Sequence, residues 1–283
     1  MSEHKNFDTV LRACCDRWSL SNPVLKYESP LANVYRVALP SGGAGALKIF
    51  SAYGLIDEWD GVLLLEWYAG IGAAEVLAIG DGALLMKWID GGSLAQLCYD
   101  GRAEEAAVIL ARLALKDRRQ DTPAPALKTI EQRFEHLFHW GEAGIPAEYA
   151  AVFREAKTVA ARLLRVDQQY IPLHGDIHFE NALFDGEEWR LIDPKGLMGP
   201  PAYEYANMFM NPWSRPEIVF AKGRARSLAE VLSAETGLPA VELIEWAIAH
   251  CALAATWLAS GATPVEHPLK LLEILFDTRD ALD

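Results

Sequence analysis

Four polar residues that could do chemistry lie close together between residues 173 and 193. They are His174, Asp176, Asn181 and Asp193, in the run L-H-G-D-I-H-F-E-N-A-L-F-D-G-E-E-W-R-L-I-D. Transfer of a phosphoryl group from a nucleotide to a hydroxyl needs a carboxylate that orients the hydroxyl and oxygen ligands that hold Mg²⁺ on the phosphates. The residue types and their spacing suit this reaction, with Asp176 in the first role and Asn181 and Asp193 in the second.

The surrounding sequence predicts a strand, a loop and a hairpin that would bring these residues together. Tyr170–Leu173 can form a short strand, and His174–Asn181 lacks periodicity, so it should be a loop. Two short apolar runs then flank Asp185-Gly186-Glu187-Glu188, a sequence typical of a hairpin turn. Folding the chain there places Asn181 roughly opposite Asp193, at a Cβ separation of about 5 Å. Amide and carboxylate oxygens are suitable magnesium ligands.

Each of these residues also has an ordinary structural interpretation. A histidine such as His174 is most often a core residue that bonds to the backbone, and even in the functional interpretation it would brace the loop. Asp176 could cap a turn, Asn181 could form an Asx turn, and Asp193 could begin a turn before Pro194. The combination of all four at these spacings favours the functional interpretation.

Lys48 is a candidate for binding the nucleotide phosphates. It stands in the middle of the predicted strand Ala46–Phe50, between apolar residues. A lysine there must reach a cleft or an acidic partner, unless it lies on a solvent-exposed face of the strand. Kinases use such a lysine together with an acidic residue from a nearby helix. The following predicted helix, residues 55–68, offers three candidates, which are Asp57, Glu58 and Glu66.

The order of predicted elements indicates an α+β protein with two lobes. After a first helix over residues 8–18, two hairpins are predicted over residues 33–50 and 75–88, on either side of the 55–68 helix. Beyond Asp90-Gly91-Gly92 the pattern is mostly helical, with Ser93 expected as a helix N-cap. We therefore expect a small strand-rich, nucleotide-binding lobe over residues 1–89. A larger helical lobe over residues 90–283 would hold the catalytic loop and the substrate site.

Composition narrows the classes of partner. The 283 residues carry a formal net charge of −13, which argues against general binding to nucleic acids. An acidic surface favours cationic small molecules, although acidity is also a common route to solubility. The four cysteines show neither CxxC spacing nor a disulfide framework, and the N-terminal residues lack an apolar signal core. The longest apolar segment, Ala247–Ala259, is too short to span a bilayer and predicts a buried helix. These features predict a cytoplasmic protein without a membrane partner.

The motif H-G-D-x-H-x-x-N followed by I-D-P-K-G resembles the aminoglycoside phosphotransferases, a branch of the protein-kinase-like fold. The longer run Ile192–Phe209 is similar to the streptomycin 6-phosphotransferase and hydroxyurea-type antibiotic resistance kinase group in particular. The resemblance extends to S-P-L-A-N-V-Y-R-V-A-L-P, D-E-W-D-G and N-P-W-S-R-P-E, but it is specific mainly in residues 171–213. It implies a bilobal protein-kinase-like fold, with a small N-terminal lobe that is rich in β-strands.

The resemblance also implies a role for each matching residue. Asp176 becomes the catalytic base, Asn181 and Asp193 the magnesium ligands, and Lys48 the phosphate-contacting lysine. By its position in D-E-W-D-G, Glu58 becomes the partner of that lysine, ahead of Glu66.

The backbone near Lys87–Asp90, with Lys87 and Trp88, would be the hinge that receives the adenine of ATP, and the choice between ATP and GTP stays open. Two features depart from the protein-kinase pattern. Ser29–Asn33 replaces the G-x-G-x-x-G loop, and D-P-K replaces D-F-G. The first departure leaves the contacts that cover the phosphates unassigned.

The leading hypothesis is a magnesium- and ATP-dependent kinase that phosphorylates a hydroxyl of a cationic small molecule of the streptomycin type. Its acceptor could instead be hydroxyurea or another metabolite, and Glu180 or Glu204 could contribute to its pocket. A second hypothesis is a metallohydrolase that uses the H-x-D-x-H string of His174, Asp176 and His178 as ligands. A third is a non-catalytic nucleotide-binding module on the same fold. The sequence does not decide the oligomeric state.

Overall fold

The computed structural model describes residues 2–80, 82–116, 123–261 and 263–282, with side chains described from Phe7 onward. Its first part is a five-stranded antiparallel sheet in the order β1-β2-β3-β5-β4. The strands are β1 (Ser21–Glu28), β2 (Ala32–Ala38), β3 (Ala44–Phe50), β4 (Val76–Gly80) and β5 (Ala83–Lys87). Both predicted hairpins are thus present. β1 was not predicted, because all eight of its residues are exposed and it has no alternating apolar pattern.

Two helices accompany this sheet. Helix α1 (Ser2–Trp18) packs on it through a small apolar cluster around Cys14, Tyr35 and Leu47. Helix α2 (Ala52–Tyr68) follows β3 and begins three residues earlier than predicted. The reason is Ser51, whose hydroxyl accepts a hydrogen bond from the Gly54 amide at 3.0 Å and caps the helix.

Beyond β5 the chain is mostly helical. The helices are α3 (Ala95–Tyr99), α4 (Ala103–Ala114), α5 (Ile130–Trp140), α6 (Ala150–Leu163), α7 (Pro216–Val219), α8 (Arg224–Thr236), α9 (Ala240–Ser260) and α10 (Glu266–Asp280). The prediction of Ser93 as an N-cap is wrong. Leu94 occupies the N-cap position of α3 without a side-chain bond, and Ser93 instead forms a β-bridge with Leu183.

Helix α9 contains the apolar segment that predicts a buried helix, and the prediction is confirmed. Among the residues that the structure describes, it alone is long and apolar enough to cross a membrane, and 72% of its most apolar window is buried inside the protein. Its side chains pack in the large core, together with α6, α10 and the 3₁₀ helix Pro201–Met210. Burial of this kind is typical of a core helix.

Short strands in the helical lobe position the candidate site. Strand β10 (Leu197–Gly199) pairs with β6 (Lys128–Thr129) and with β7 (Ile171–Leu173). Strands β8 (Ala182–Phe184) and β9 (Trp189–Leu191) form the predicted hairpin, which we call the catalytic hairpin.

The catalytic hairpin also joins the two lobes. The Leu191 amide donates to the Gly72 carbonyl at 3.0 Å, and the Ala74 amide donates to the Leu191 carbonyl at 2.8 Å. On its other edge, the Leu94 amide donates to the Ala182 carbonyl at 2.8 Å. Backbone pairing thus fixes the hairpin against both the small lobe and the segment that enters the large lobe.

Candidate active site

The loop after β7, residues 174–178, carries the H-G-D motif and is held from both sides; we call it the catalytic loop. His174 is fully buried, and its Nε2 donates to the Ile192 carbonyl at 2.9 Å. The amides of His174 and Gly175 donate to the two carboxylate oxygens of Glu204, each at 2.9 Å. His174 therefore braces the loop against the catalytic hairpin, while Glu204 fixes its backbone.

Asp176 is the carboxylate that this loop presents. Its Oδ1 accepts a hydrogen bond from Nδ2 of Asn207 at 2.7 Å. Burial alone would raise the pKa of Asp176, but the electrostatic effects of His178, Lys195 and His174 outweigh it and lower the pKa below the usual value. Asp176 is thus ionised at neutral pH and has a fixed orientation.

Lys48 and Glu58 meet between β3 and α2. Nζ of Lys48 lies 2.7 Å from Oε2 of Glu58 and 2.5 Å from Oδ1 of Asp193. Burial would lower the pKa of Lys48, but the two carboxylates outweigh it and raise the pKa, so the ammonium stays charged. Of the other two sequence candidates, Glu66 is exposed, and Asp57 contacts a different lysine, Lys195.

Lys195 is the second lysine of this group. Its Nζ lies 2.8 Å from Oε1 of Glu58 and 3.7 Å from Oδ2 of Asp57. Lys48, Asp57, Glu58, Asp193 and Lys195 therefore form one connected set of charges, which we call the charge cluster. Within it, the partial burial of Asp193 would raise its pKa, but Lys48 and Lys195 lower it, so this carboxylate is ionised.

Close backbone packing holds the segment 193–196 against α2. A Cβ on Gly61 of the helix would lie only 1.8 Å from the carbonyl oxygen of Pro194. A Cβ on Gly196, where φ is +69°, would lie 2.4 Å from the carbonyl oxygen of Asp60. Only glycine fits at these two positions, so the helix and the segment touch through their main chains.

Asn181 and Asp193 provide hard oxygen donors of the kind that Mg²⁺ prefers. Nδ2 of Asn181 donates to the Asp176 carbonyl at 3.0 Å, which turns the amide oxygen away from that loop. The side chain of Asp193 is 45% exposed toward solvent. Magnesium usually takes one or two protein oxygens and completes its octahedron with phosphates and water, and this pair fits that pattern.

The register of the catalytic hairpin differs by one residue from the predicted pairing of Asn181 with Asp193. The Ile192 amide donates to the Asn181 carbonyl at 2.9 Å, so Asn181 pairs with Ile192. Asp193 follows immediately, in a left-handed conformation with φ of 57°. This conformation is uncommon outside glycine, although Asp tolerates it better than most residues, and it marks a sharp bend at the open end of the hairpin.

The H-x-D-x-H string does not converge on one point. Nε2 of His174 is bonded to the Ile192 carbonyl, and Nδ1 of His178 lies 2.9 Å from Oε2 of Glu180. Within the described ranges, no group of three or more His, Cys, Asp and Glu side chains is arranged to hold a metal ion. The arrangement gives no support to the metallohydrolase hypothesis. Glu180, a candidate for the acceptor pocket, is the partner of His178.

Lys87 and Trp88 lie at the junction between the lobes, at the end of β5. The Lys87 amide donates to the Glu75 carbonyl at 2.9 Å, and the Trp88 amide donates to the Ala44 carbonyl at 3.0 Å. The Trp88 indole N–H donates to Oδ1 of Asp90 at 2.8 Å. The sheet therefore uses both of these amides, and the contact of this segment with a nucleotide base stays a prediction.

Three contacts of the site could not be assigned from the motif alone. Lys195 belongs to I-D-P-K-G, yet nothing in that string shows which acid it meets. Glu204 and Asn207 lie on the 3₁₀ helix Pro201–Met210, three residues apart, so both side chains can face the catalytic loop. The three-residue spacing of two polar residues in an apolar run is the signal that could have identified Glu204 and Asn207.

Known proteins with a similar sequence are antibiotic resistance kinases. A family model described as aminoglycoside/hydroxyurea antibiotic resistance kinase matches residues 17–261. The chain belongs to this family. The family resemblance drawn from the sequence motifs is thereby confirmed. A curated relative, the streptomycin 3''-kinase of Klebsiella pneumoniae, is 38% identical over 208 residues, which cover 71% of this chain and 76% of that protein.

Solved structures of other small-molecule kinases share the fold of this family member. A choline kinase from Cryptosporidium parvum Iowa II has a TM-score of 0.68 at 13% identity, covering 97% of this chain and 96% of that one. A thermostable mutant of an aminoglycoside phosphotransferase, in a ternary complex with ADP and hygromycin B, has a TM-score of 0.64 at 16% identity, covering 96% of each chain. These similarities confirm the predicted bilobal protein-kinase-like fold.

Proposed function

We propose that this antibiotic resistance kinase homologue transfers the γ-phosphoryl group of Mg-ATP to a hydroxyl of a small cationic molecule of the streptomycin class. The observation that carries the proposal is the position of the Lys48 ammonium, between Glu58 and Asp193 at the junction of the lobes. Asp176 lies in the adjoining loop, ionised and fixed by Asn207. Lys48 would thus supply the cation for the phosphates, and Asp176 the carboxylate base.

Asp176 serves as the base that receives the acceptor hydroxyl. Since Asn207 holds Oδ1, we expect Oδ2 to accept the hydrogen bond from that hydroxyl. The acceptor oxygen forms a bond to the γ-phosphorus, while the bond from the γ-phosphorus to the bridging oxygen of ADP breaks. The hydroxyl proton passes to Asp176 and then to solvent. The products are a phosphate ester and ADP.

Lys48 offsets negative charge on the inner phosphates, and Glu58 keeps its ammonium in place. Asn181 and Asp193 would hold Mg²⁺ through their side-chain oxygens. The ion, when bound, neutralises phosphate charge and orients the phosphate chain. Lys48 compensates the charge of Asp193, which keeps that carboxylate ionised.

The acceptor class rests on the relative and on charge. The Klebsiella pneumoniae relative is named a streptomycin 3''-kinase, and streptomycin carries guanidinium groups that pair well with carboxylates. This chain has a formal net charge of −13, which attracts cations. We therefore propose streptomycin as the first acceptor to test, with the 3''- and the 6-hydroxyl as the two candidate positions.

We propose ATP as the donor, with its adenine beside the Lys87–Asp90 segment. The amides of Lys87 and Trp88 are engaged in the sheet, so the base would contact the segment through other backbone groups. Titration with ATP and GTP tests this placement when the fluorescence of wild type is compared with that of Trp88→Phe. Quenching that is present only in wild type would come from Trp88. A signal that is equal in both proteins would place the base elsewhere.

Mass spectrometry tests the reaction directly. The protein is incubated with Mg-ATP and a panel of streptomycin, other aminoglycosides and hydroxyurea, and the products are scanned for a gain of one phosphate. We expect the gain on streptomycin, with NMR showing which hydroxyl carries the phosphate. Asp176→Asn should abolish it, because the amide cannot accept the proton, whereas Asp167→Asn, at an exposed site, should keep it.

The outcomes separate the remaining hypotheses. Phosphate on hydroxyurea alone would keep the kinase and change the acceptor. Nucleotide binding without transfer to any panel member would remove the antibiotic assignment and leave another metabolite or a non-catalytic module. Transfer that survives in Asp176→Asn would contradict the role of that carboxylate.

A further inference from the structure

Lys195 lies two residues after Asp193 and makes a buried contact with Glu58 on α2. Its side chain is only 15% exposed, and its Nζ lies 2.8 Å from Oε1 of Glu58. Asp57, one helical position earlier, adds a second acid at 3.7 Å. A lysine that loses this much contact with water must be compensated by its partners, and both partners lie on α2.

Glu58 is shared between two lysines, one on each oxygen. Oε2 lies 2.7 Å from Lys48 and Oε1 lies 2.8 Å from Lys195. A carboxylate that is held at both oxygens has a fixed plane, so the position of its Lys48 contact is fixed as well. Without Lys195, one oxygen of a buried carboxylate would lose its charged partner and the group could rotate.

The main chain of Lys195 is tied to the catalytic loop. Its amide donates to the His174 carbonyl at 2.8 Å, and the Gly196 amide donates to the same oxygen at 3.2 Å. The residue therefore contacts the catalytic loop through its backbone and the lysine–glutamate pair through its side chain.

The second acidic partner of Lys48 is Asp193, the proposed magnesium ligand. When Asp193 is used for the metal, Glu58 is the partner that keeps Lys48 near the phosphates. The geometry of Glu58 then depends on the contact that Lys195 makes.

We propose that Lys195 is a positioning residue for phosphoryl transfer, which acts through Glu58 to set Lys48 relative to the catalytic loop. The inference rests on the proposed function. It assigns to the lysine of I-D-P-K-G a role distinct from that of Lys48, because Lys195 contacts the acid that holds Lys48 and does not replace it.

A double-mutant cycle tests this role. Steady-state kinetics are measured for wild type, Lys195→Met, Glu58→Gln and the double variant, with Lys195→Arg as the conservative replacement. Lys222→Met, at an exposed position, is the matched control. Calorimetric titration with Mg-ADP provides a second measurement that does not need turnover.

We expect Lys195→Met to lower kcat/KM for ATP by about 100-fold, the size of effect that follows from a displacement of about 1 Å. The KM for the acceptor should stay within about twofold, because the described side-chain contacts of Lys195 are with Asp57 and Glu58 on α2. The charge of Lys195 also lowers the pKa of Asp176, so all variants are compared at a pH on the plateau of the rate profile, where Asp176 is ionised. Lys195→Arg should recover most of the loss. In the Glu58→Gln background the further loss should be small, because the residue through which Lys195 acts has been changed.

Additive losses in the cycle would overturn the proposal, and so would a loss confined to the acceptor KM. If Lys195→Met does not fold, Lys195→Gln keeps a polar contact without the charge, and its loss must again vanish in the Glu58→Gln background. If wild type transfers phosphate to no acceptor, the proposed function fails. The Mg-ADP affinities of the same proteins, which should show the same non-additivity, then still decide the role of Lys195.

Discussion

Gly61 offers a sharp test of how the site is built. Alanine is usually better than glycine in the middle of a helix, by about 1 kcal/mol. At this position, however, the added Cβ would lie 1.8 Å from the Pro194 carbonyl oxygen. To reach ordinary contact, α2 and the segment 193–196 must separate by about 1.6 Å. Helix propensity alone predicts that Gly61→Ala stabilises the protein, whereas loss of the main-chain contact predicts that it destabilises the protein.

The same separation would disturb the charge cluster. Glu58 is on α2, while Lys195 is on the other side of the contact, and the distance between Nζ of Lys195 and Oε1 of Glu58 is 2.8 Å. A shift of more than 1 Å exceeds the range of a hydrogen bond. We expect Gly61→Ala to lower the free energy of unfolding by about 1–3 kcal/mol. It should lower kcat/KM by about 100-fold.

Urea unfolding and steady-state kinetics measure the two effects. Gly261→Ala is the matched control, since its nearest new neighbour would be Oγ1 of Thr263 at 3.6 Å, an ordinary contact. That variant should stay within about 0.5 kcal/mol of wild type. The reasoning is refuted if Gly61→Ala is about 1 kcal/mol more stable than wild type with unchanged kcat/KM, because only the helix propensity would then have been seen.

Three further predictions concern other parts of the site. Glu204→Gln should lower the free energy of unfolding in urea by about 1–3 kcal/mol, because one of the His174 and Gly175 amides loses its acceptor; equal stability would contradict this. The Glu188 amide, Arg190 and the Glu187 amide hold the pKa of Asp185 well below the ordinary value of 3.8. Its carboxylate thus stabilises the fold above pH 3.8, and this contribution is lost as pH falls through the folded value. Asp185→Asn should therefore be less stable than wild type at pH 7, with a gap that narrows below pH 3.8; a constant gap argues against it. Removal of divalent ions with EDTA should stop phosphoryl transfer, and added Mg²⁺ should restore it. The Asn181→Ala variant should need a Mg²⁺ concentration at least roughly tenfold higher than wild type to reach half of its maximal rate. An unchanged Mg²⁺ requirement would exclude Asn181 as a ligand.

The parts of the fold that could be predicted are those with a local signal. The two hairpins of the small lobe and the catalytic hairpin have apolar runs around turn residues, and α9 has a long apolar run. β1 could not be predicted, because an edge strand with all its side chains exposed carries no burial pattern. Ser93 was misassigned because its backbone pairs with Leu183, a contact from a segment about ninety residues away.

The candidate site divides in the same way. Asp176, Asn181 and Asp193 stand in one short motif, so their proximity follows from a single loop and a single hairpin. The partners Glu204, Asn207 and Lys195 depend on how the 3₁₀ helix Pro201–Met210 and helix α2 pack on that motif. Packing of this kind arises from the tertiary fold, and the spacing within the motif does not determine it.

The pairing of the catalytic hairpin with residues 72, 74 and 94 bears on how the polypeptide could be divided. A cut between residues 89 and 90 falls in a connecting segment, yet it would leave β9 without the main-chain neighbours that the first fragment provides. Each fragment would expose donors and acceptors that only the other can satisfy. The two lobes therefore share backbone hydrogen bonds through the catalytic hairpin, and separate fragments would have to reassemble before either could hold a nucleotide.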